Sequence, residues 1–122
     1  MNDKKYERGI GEFRDPSKQK RKNARIRVPN LPAMFSLEGI NKEYECIIND
    51  IGTGGLGIST KTLLYPGDKI KIHFWLEGIE FNIPATVSRV SGKNVGVVFE
   101  DLPVEIIAKI QNYIHSKLFK EK

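Results

Sequence analysis

A chain of 122 residues with 39% hydrophobic and 29% charged side chains supports one modest core and lacks the roughly 20-residue apolar run that crosses a bilayer. The net charge of +5 sits at one end: residues 1–27 hold 10 Lys/Arg against 4 Asp/Glu (+6), and residues 28–122 hold 10 against 11 (−1). A basic arm on a neutral body argues against a uniformly basic nucleic-acid-coating domain and for a segment that closes over a discrete anion or touches an acidic surface. A single cysteine, Cys46, excludes an internal disulfide framework and fits a reducing cytoplasm. No apolar segment follows the charged N-terminus, so no secretory signal is expected.

Residues 1–19 carry Gly9, Gly11, Pro16 and mixed charges without apolar periodicity, and read as a flexible arm. The domain proper is expected over residues 20–119. Arg25-Ile26-Arg27-Val28 alternates, Pro29 to Pro32 is extended, and Ala33 to Leu37 reads as the first strand. Glu43 to Ile48 is a second strand, with Tyr44, Cys46 and Ile48 on one face. Asn49 to Gly55 reads as a tight turn, where glycines permit positive φ and close approach. Leu56 to Ser59 is a short third strand. Lys69 to Leu76 alternates cleanly, with Ile70, Ile72, Phe74 and Leu76 on one face and Trp75 on the other, placed to pack under the arm or the helix. Phe81, Ile83, Ala85 and Val87 share a face of the fifth strand, with Pro84 marking an edge or bulge. Val95 to Phe99 is the sixth. Asp101 is placed to cap a helix with Pro103 in its first turn, and Ile107, Ile110, Ile114 and Leu118 recur at helical spacing over about 103–119, with Ile106 and Tyr113 widening the stripe. Six short antiparallel strands followed by one helix describe a mainly β protein, a six-stranded barrel closed to remove its edges.

Catalysis is poorly supplied. His73 and His115 lie on different elements, neither has a partner at metal-ligand spacing, and no nucleophile motif or phosphate-binding loop is present. The expectation is no enzyme, no metal and no cofactor. Recognition is better supplied. Arg21 and Arg25 are planar donor forks suited to phosphate oxygens and to the O6/N7 edge of guanine. Asp50 is an acceptor for the guanine N1–H and N2–H₂ edge, at a turn opened by Gly52, Gly54 and Gly55. Arginine, aspartate and bare backbone together suit a guanine nucleotide with exposed phosphates.

Arg21-Lys22-Asn23-Ala24-Arg25 resembles the RxxxR motif of PilZ domains, and Asp50-Ile51-Gly52-Thr53-Gly54-Gly55 is similar to their (D/N)xSxxG motif, with 24 residues between Arg25 and Asp50. The resemblance extends from about Lys20 to Phe119. It implies a six-stranded barrel and a bacterial receptor for cyclic di-GMP. In that family the arginines at the positions of Arg21 and Arg25 bind phosphate and guanine as the arm wraps the ligand. The acid at Asp50 takes a guanine edge, and the glycine at Gly55 shapes the turn. Gly52 stands where the motif has serine, with Thr53 or backbone N–H groups to stand in for its hydroxyl and Gly54 as a secondary contact beside them. Lys20 and Lys22 add charge beside the arginines, and Lys20 would favour a stacked ligand pair. The implied mechanism is a switch: ligand orders the arm and presents a surface to a downstream protein in motility, biofilm or polysaccharide control. The protein is expected to be cytoplasmic, and a monomer or a ligand-dependent dimer, with its output in another protein.

Two other readings stay open. Gly52 favours a PilZ-like protein–protein adaptor with weak or no nucleotide binding. A nucleic-acid-binding small barrel is disfavoured, because Trp75 and a few lysines are the only candidates for a stacking face.

Overall fold

Where alternation is clean, the chain forms what its pattern dictates. The computed structural model describes residues 25–120, with side chains to Phe119. Six strands, β1 (Arg25–Leu37), β2 (Glu43–Gly52), β3 (Gly55–Ser59), β4 (Lys69–Leu76), β5 (Ile79–Ser91) and β6 (Asn94–Phe99), precede one helix, α1 (Val104–Lys120). The strands pair antiparallel in the order β1-β2-β3-β6-β5-β4, and β4 closes the barrel on β1. The expected arm, with Lys20, Arg21 and Lys22, lies outside the described residues.

β4 is the regular wall. Ile70, Ile72, Phe74 and Leu76 are buried while Lys69, Lys71 and Trp75 are exposed. Its ladder with β5 runs unbroken from Lys69↔Thr86 to Leu76↔Ile79. Glu77 (φ 50°) and Gly78 (φ 85°) close that hairpin, both left-handed as a two-residue turn between right-twisted strands requires. Phe74 and Phe81 stack inside at 5.2 Å, and Phe35 and Tyr44 at 5.5 Å. Each fully buried Ile or Phe contributes roughly 1.5–3 kcal/mol. Cys46 is part of this core, and burial pushes its thiol up to about 12, leaving it protonated and inert at neutral pH.

Four expectations are corrected. β1 starts at Arg25 rather than Ala33, because Arg25, Ile26 and Arg27 pair with Gly52, Ile51 and Asp50. For the same reason Asn49 to Gly55 is not a turn: β2 continues to Gly52, and only Thr53 and Gly54 separate it from β3. Pro84 sits inside the unbroken β4–β5 ladder, opposite Lys71. Its carbonyl accepts from the Glu100 N–H (3.0 Å) just beyond β6, so its missing N–H faces a side where no strand remains. The bulge on β5 lies further on, between Val87 and Arg89. In α1 the first carbonyl acceptor is that of Pro103, which bonds Ile106 N–H and Ile107 N–H at 3.0 and 3.1 Å, so Pro103 holds the cap position given to Asp101.

The helix buries Ile110 and Ile114, with Ile106 and Tyr113 packed beside them, and leaves Leu118 half-exposed. Trp75 is half-exposed on the outer face of β4, tilted against His73 at 4.5 Å rather than lying under α1. Glu77 at the β4–β5 turn pairs with Lys117 of α1 at 3.1 Å, tying the hairpin to the helix.

Candidate functional site

The site is built by breaks in alternation. In a regular strand, residues two apart share a face. On β2, Ile48 and Ile51 are both fully buried although three apart. The register with β3 slips between Ile48↔Ile58 and Asp50↔Gly57, leaving Asn49 as the extra residue. That β-bulge keeps Ile51 in the core and turns Asp50 outward. β1 slips against β2 between Arg27 and Leu31, where Asn30 is left-handed (φ 47°), so Val28 and Leu31 both face the core and Arg27 faces out. β5 slips against β6 between Val87 and Arg89, so Val87 and Val90 both pack inward and Arg89 is exposed.

The three irregularities align on one rung. Arg27 of β1 is opposite Asp50 of β2, Asp50 opposite Gly57 of β3, Gly57 opposite Gly96 of β6, and Gly96 opposite Arg89 of β5. A second polar row flanks it: Asn49 Nδ2 donates to Ser59 Oγ (2.7 Å), and Ser59 Oγ donates to Asn94 Oδ1 (3.0 Å).

Arg25, one side-chain repeat before Arg27, reaches back to Asp50. Its Nε and Nη2 both donate to Oδ1, at 3.0 and 2.5 Å. The side chains are 44% and 33% exposed, so solvent screens the pair and it contributes up to about 1 kcal/mol. It is a weak pairing that holds a donor fork and an acceptor side by side. The second oxygen, Oδ2, lies over Gly57: a Cβ there would collide with it. At Gly55 a Cβ would strike the backbone oxygen of Val97, so this glycine lets β3 and β6 approach. None of Gly52, Gly54, Gly55 and Gly57 has positive φ. Close approach, rather than left-handed backbone, is what Gly55 and Gly57 supply. Gly52 is buried opposite Arg25, and the Gly54 carbonyl accepts from the Phe99 N–H (2.9 Å), pinning the Thr53-Gly54 reversal to the end of β6.

Arg25, Asp50, Gly52, Thr53, Gly54 and Gly55 are thus gathered at the β1–β2–β3 corner. Arg21, Lys20 and Lys22 fall outside the described residues. The pattern of the sequence marks Gly57 only as part of the glycine-rich stretch from Asn49, and does not mark Arg27, Gly96 or Arg89 as site residues. Their signal was present as apolar residues three apart (Ile48 and Ile51, Val28 and Leu31, Val87 and Val90) in otherwise alternating strands. A cleft of about 550 Å³ between Arg25–Pro29 and Tyr113, Lys117 and Leu118 adjoins the corner, and a larger groove of about 1010 Å³, lined by Met34, Tyr44, Ile47, His73 and Trp75 among others, lies elsewhere on the barrel. Among the described residues no cluster of His, Cys, Asp and Glu could hold a metal ion, and no helix is long and apolar enough to cross a membrane.

Residues 19–116 match the family model for the PilZ domain. The fold is similar to the PilZ domain of YcgR from Escherichia coli, solved with c-di-GMP, with a TM-score of 0.67 at 18% identity, covering 80% of this chain and 91% of that one. It is similar to the PilZ domain of CeSA from a cellulose-synthesising bacterium, with a TM-score of 0.62 at 16% identity over 76% of this chain and 96% of that one. It also resembles the Bacillus subtilis inhibitor of motility MotI/DgrA, with a TM-score of 0.67 at 16% identity, covering 83% of this chain and 53% of that one. No curated protein sequence matches the chain. The family match over most of the sequence, together with the closed six-stranded barrel and its C-terminal helix, places the chain in the PilZ domain family.

Proposed function

We propose that the protein is a cyclic di-GMP receptor and not an enzyme. Arg21 and Arg25 take phosphate and guanine acceptor atoms, Asp50 takes the guanine N1–H and N2–H₂ donors, and Gly52, Thr53, Gly54 and Gly55 leave the corner open to the base. The observation that carries this is the Arg25–Asp50 pair: an arginine fork and a carboxylate, 25 residues apart in sequence, meet on an outward face beside a glycine-lined reversal. A cyclic dinucleotide carries the acceptors that Arg25 seeks and the donors that Asp50 seeks, so it separates the pair and satisfies both halves. Lys20 and Lys22 add charge to the arm. Residues 1–19 then form an arm that orders over the bound nucleotide and offers a new surface to a downstream protein in the cytoplasm. The c-di-GMP held by the YcgR PilZ domain supports the choice of ligand.

Isothermal titration of the full chain with cyclic di-GMP tests the reading, and also counts ligands per protomer. Binding in the micromolar range is expected. Arg21→Ala and Arg25→Ala should each weaken it by about 10- to 100-fold, since hydrogen bonds to charged groups are worth about 1.5–3 kcal/mol. An Arg21→Ala/Arg25→Ala double variant that binds like the wild type removes this site. A wild type that gives no heat at tens of micromolar protein (about 8 kcal/mol is needed for micromolar affinity) leaves the protein–protein adaptor, which Gly52 in the serine position of the motif favours.

A further inference from the structure

Arg89 stands at the far end of the rung that starts at Arg27 and Asp50. Regular alternation would aim it into the core, since Val87 is buried two residues earlier. The bulge between Val87 and Arg89 turns it outward, as the bulge before Asp50 turns that acid outward. Two irregularities, on strands that do not touch, thus bring an acid and an arginine onto the same face and the same rung. Between them stand only Gly57 and Gly96. Three inter-strand steps put the β2 and β5 backbones roughly 14 Å apart.

The side chain of Arg89 is laid across Gly96. A Cβ on Gly96 would lie 3.3 Å from Arg89 Cγ and 3.4 Å from Nε, and also 3.4 Å from Ser88 Oγ, which donates to the Gly96 carbonyl at 3.0 Å. A side chain at Gly96 would lift the guanidinium off the sheet; a side chain at Gly57 would displace the Asp50 carboxylate. Among the described residues Arg89 makes no ion pair, in contrast to Arg25 and Lys69, which are both paired. The result is a bare backbone ledge with a carboxylate over one end and a guanidinium over the other.

We propose that Arg89 is a further ligand-contacting residue, which reads the O6/N7 acceptor edge of a guanine lying flat on the Gly57–Gly96 ledge while Asp50 takes the donor edge of the same base. The inference rests on the nucleotide reading above. Guanine is the base that fits both ends: it offers donors at N1 and N2 on one side and two acceptors, O6 and N7, toward the other. Adenine has no N1–H and puts an amino donor where O6 would be. A planar fork matches the O6/N7 pair with two bonds, and an ammonium does not.

The test is titration of cyclic di-GMP and cyclic di-AMP into the full-length wild type, Arg89→Ala, Arg89→Lys and Gly96→Val. Arg89 is exposed, so the fold of its variants is confirmed by an unchanged thermal melt. Wild type should prefer cyclic di-GMP. Arg89→Ala and Arg89→Lys should both weaken cyclic di-GMP binding by at least 10-fold and narrow the preference over cyclic di-AMP, and Gly96→Val should do the same by covering the ledge. If the wild type binds but Arg89→Ala binds equally tightly, Arg89 is overturned while the receptor stands. If Arg89→Lys restores full affinity, the contact is with phosphate charge and the base-edge assignment is overturned. If the wild type itself fails to bind, receptor and ledge fall together.

Discussion

At the scale of single residues, the site turns on what a missing side chain permits. Gly57 has no φ requirement; its bare Cα leaves room for the Asp50 carboxylate. The clash that alanine creates is with the end of a rotatable side chain, so the barrel should tolerate Gly57→Ala, with stability within about 1 kcal/mol of wild type or slightly raised by the stiffer unfolded chain. The carboxylate, however, must swing away, loosening its bonds with Arg25 and leaving the position in which it would meet a base. We expect Gly57→Ala to keep its urea midpoint and lose at least 10-fold in cyclic di-GMP affinity. Unchanged affinity would show that the orientation of Asp50 over Gly57 has no part in binding. Arg25 and Asp50 were legible from the sequence because each carries chemistry and each falls in a motif. Gly57 was legible only as one of several glycines, and Gly96 and Arg89 not at all, because their part depends on cross-strand register, which the order of residues along the chain does not expose.

At the scale of elements, legibility followed alternation. The β4 strand, with a clean period of two from Lys69 to Leu76, has the ends its pattern indicates. The pattern of β2 breaks at Asn49, which reads as the end of the strand at Ile48, and the break is a bulge rather than a turn. A bulge and a turn look alike in sequence, since both interrupt the period and both recruit Asn, Asp and Gly. What distinguishes them is the partner strand: Arg25 to Arg27 pair with Asp50 to Gly52, and that pairing is nonlocal. Gly55 belongs to this scale. A Cβ there meets the Val97 carbonyl, which is part of the β3–β6 ladder and cannot rotate aside. Gly55→Ala should therefore push the two strands apart and weaken the rung at Val98, costing about 1–3 kcal/mol as overpacking does. Chemical denaturation should show a lowered midpoint with an unchanged slope. A midpoint equal to that of wild type would mean that Gly55 is a ligand-facing glycine only, as the motif alone suggests, and not a packing one.

At the scale of the whole molecule, the barrel and helix share one core and are expected to unfold together. The sheet has no free edge, and Ile110 and Ile114 of α1 join the same buried cluster as the strands. A ligand held at the β1–β2–β3 corner then stabilises everything, because none of its contacts survives unfolding. On the proposed reading the charge distribution adds to this: with +6 on residues 1–27 and −1 on the remainder, a doubly anionic ligand would also relieve repulsion among the N-terminal cations. On the proposed reading, cyclic di-GMP at 100 times its Kd should add about 2.7 kcal/mol to the folded state. For a domain of this size that corresponds to a rise in Tm of roughly 10 °C. Differential scanning fluorimetry or calorimetry would read it, with GTP at equal concentration as the control for phosphate charge. The shift should shrink to near zero in Arg21→Ala/Arg25→Ala, although Arg25 is exposed and the variant alone should melt close to wild type. A shift below about 1 °C at saturating cyclic di-GMP, or an equal shift with GTP, would contradict a site in which arm, acid and ledge act on one base.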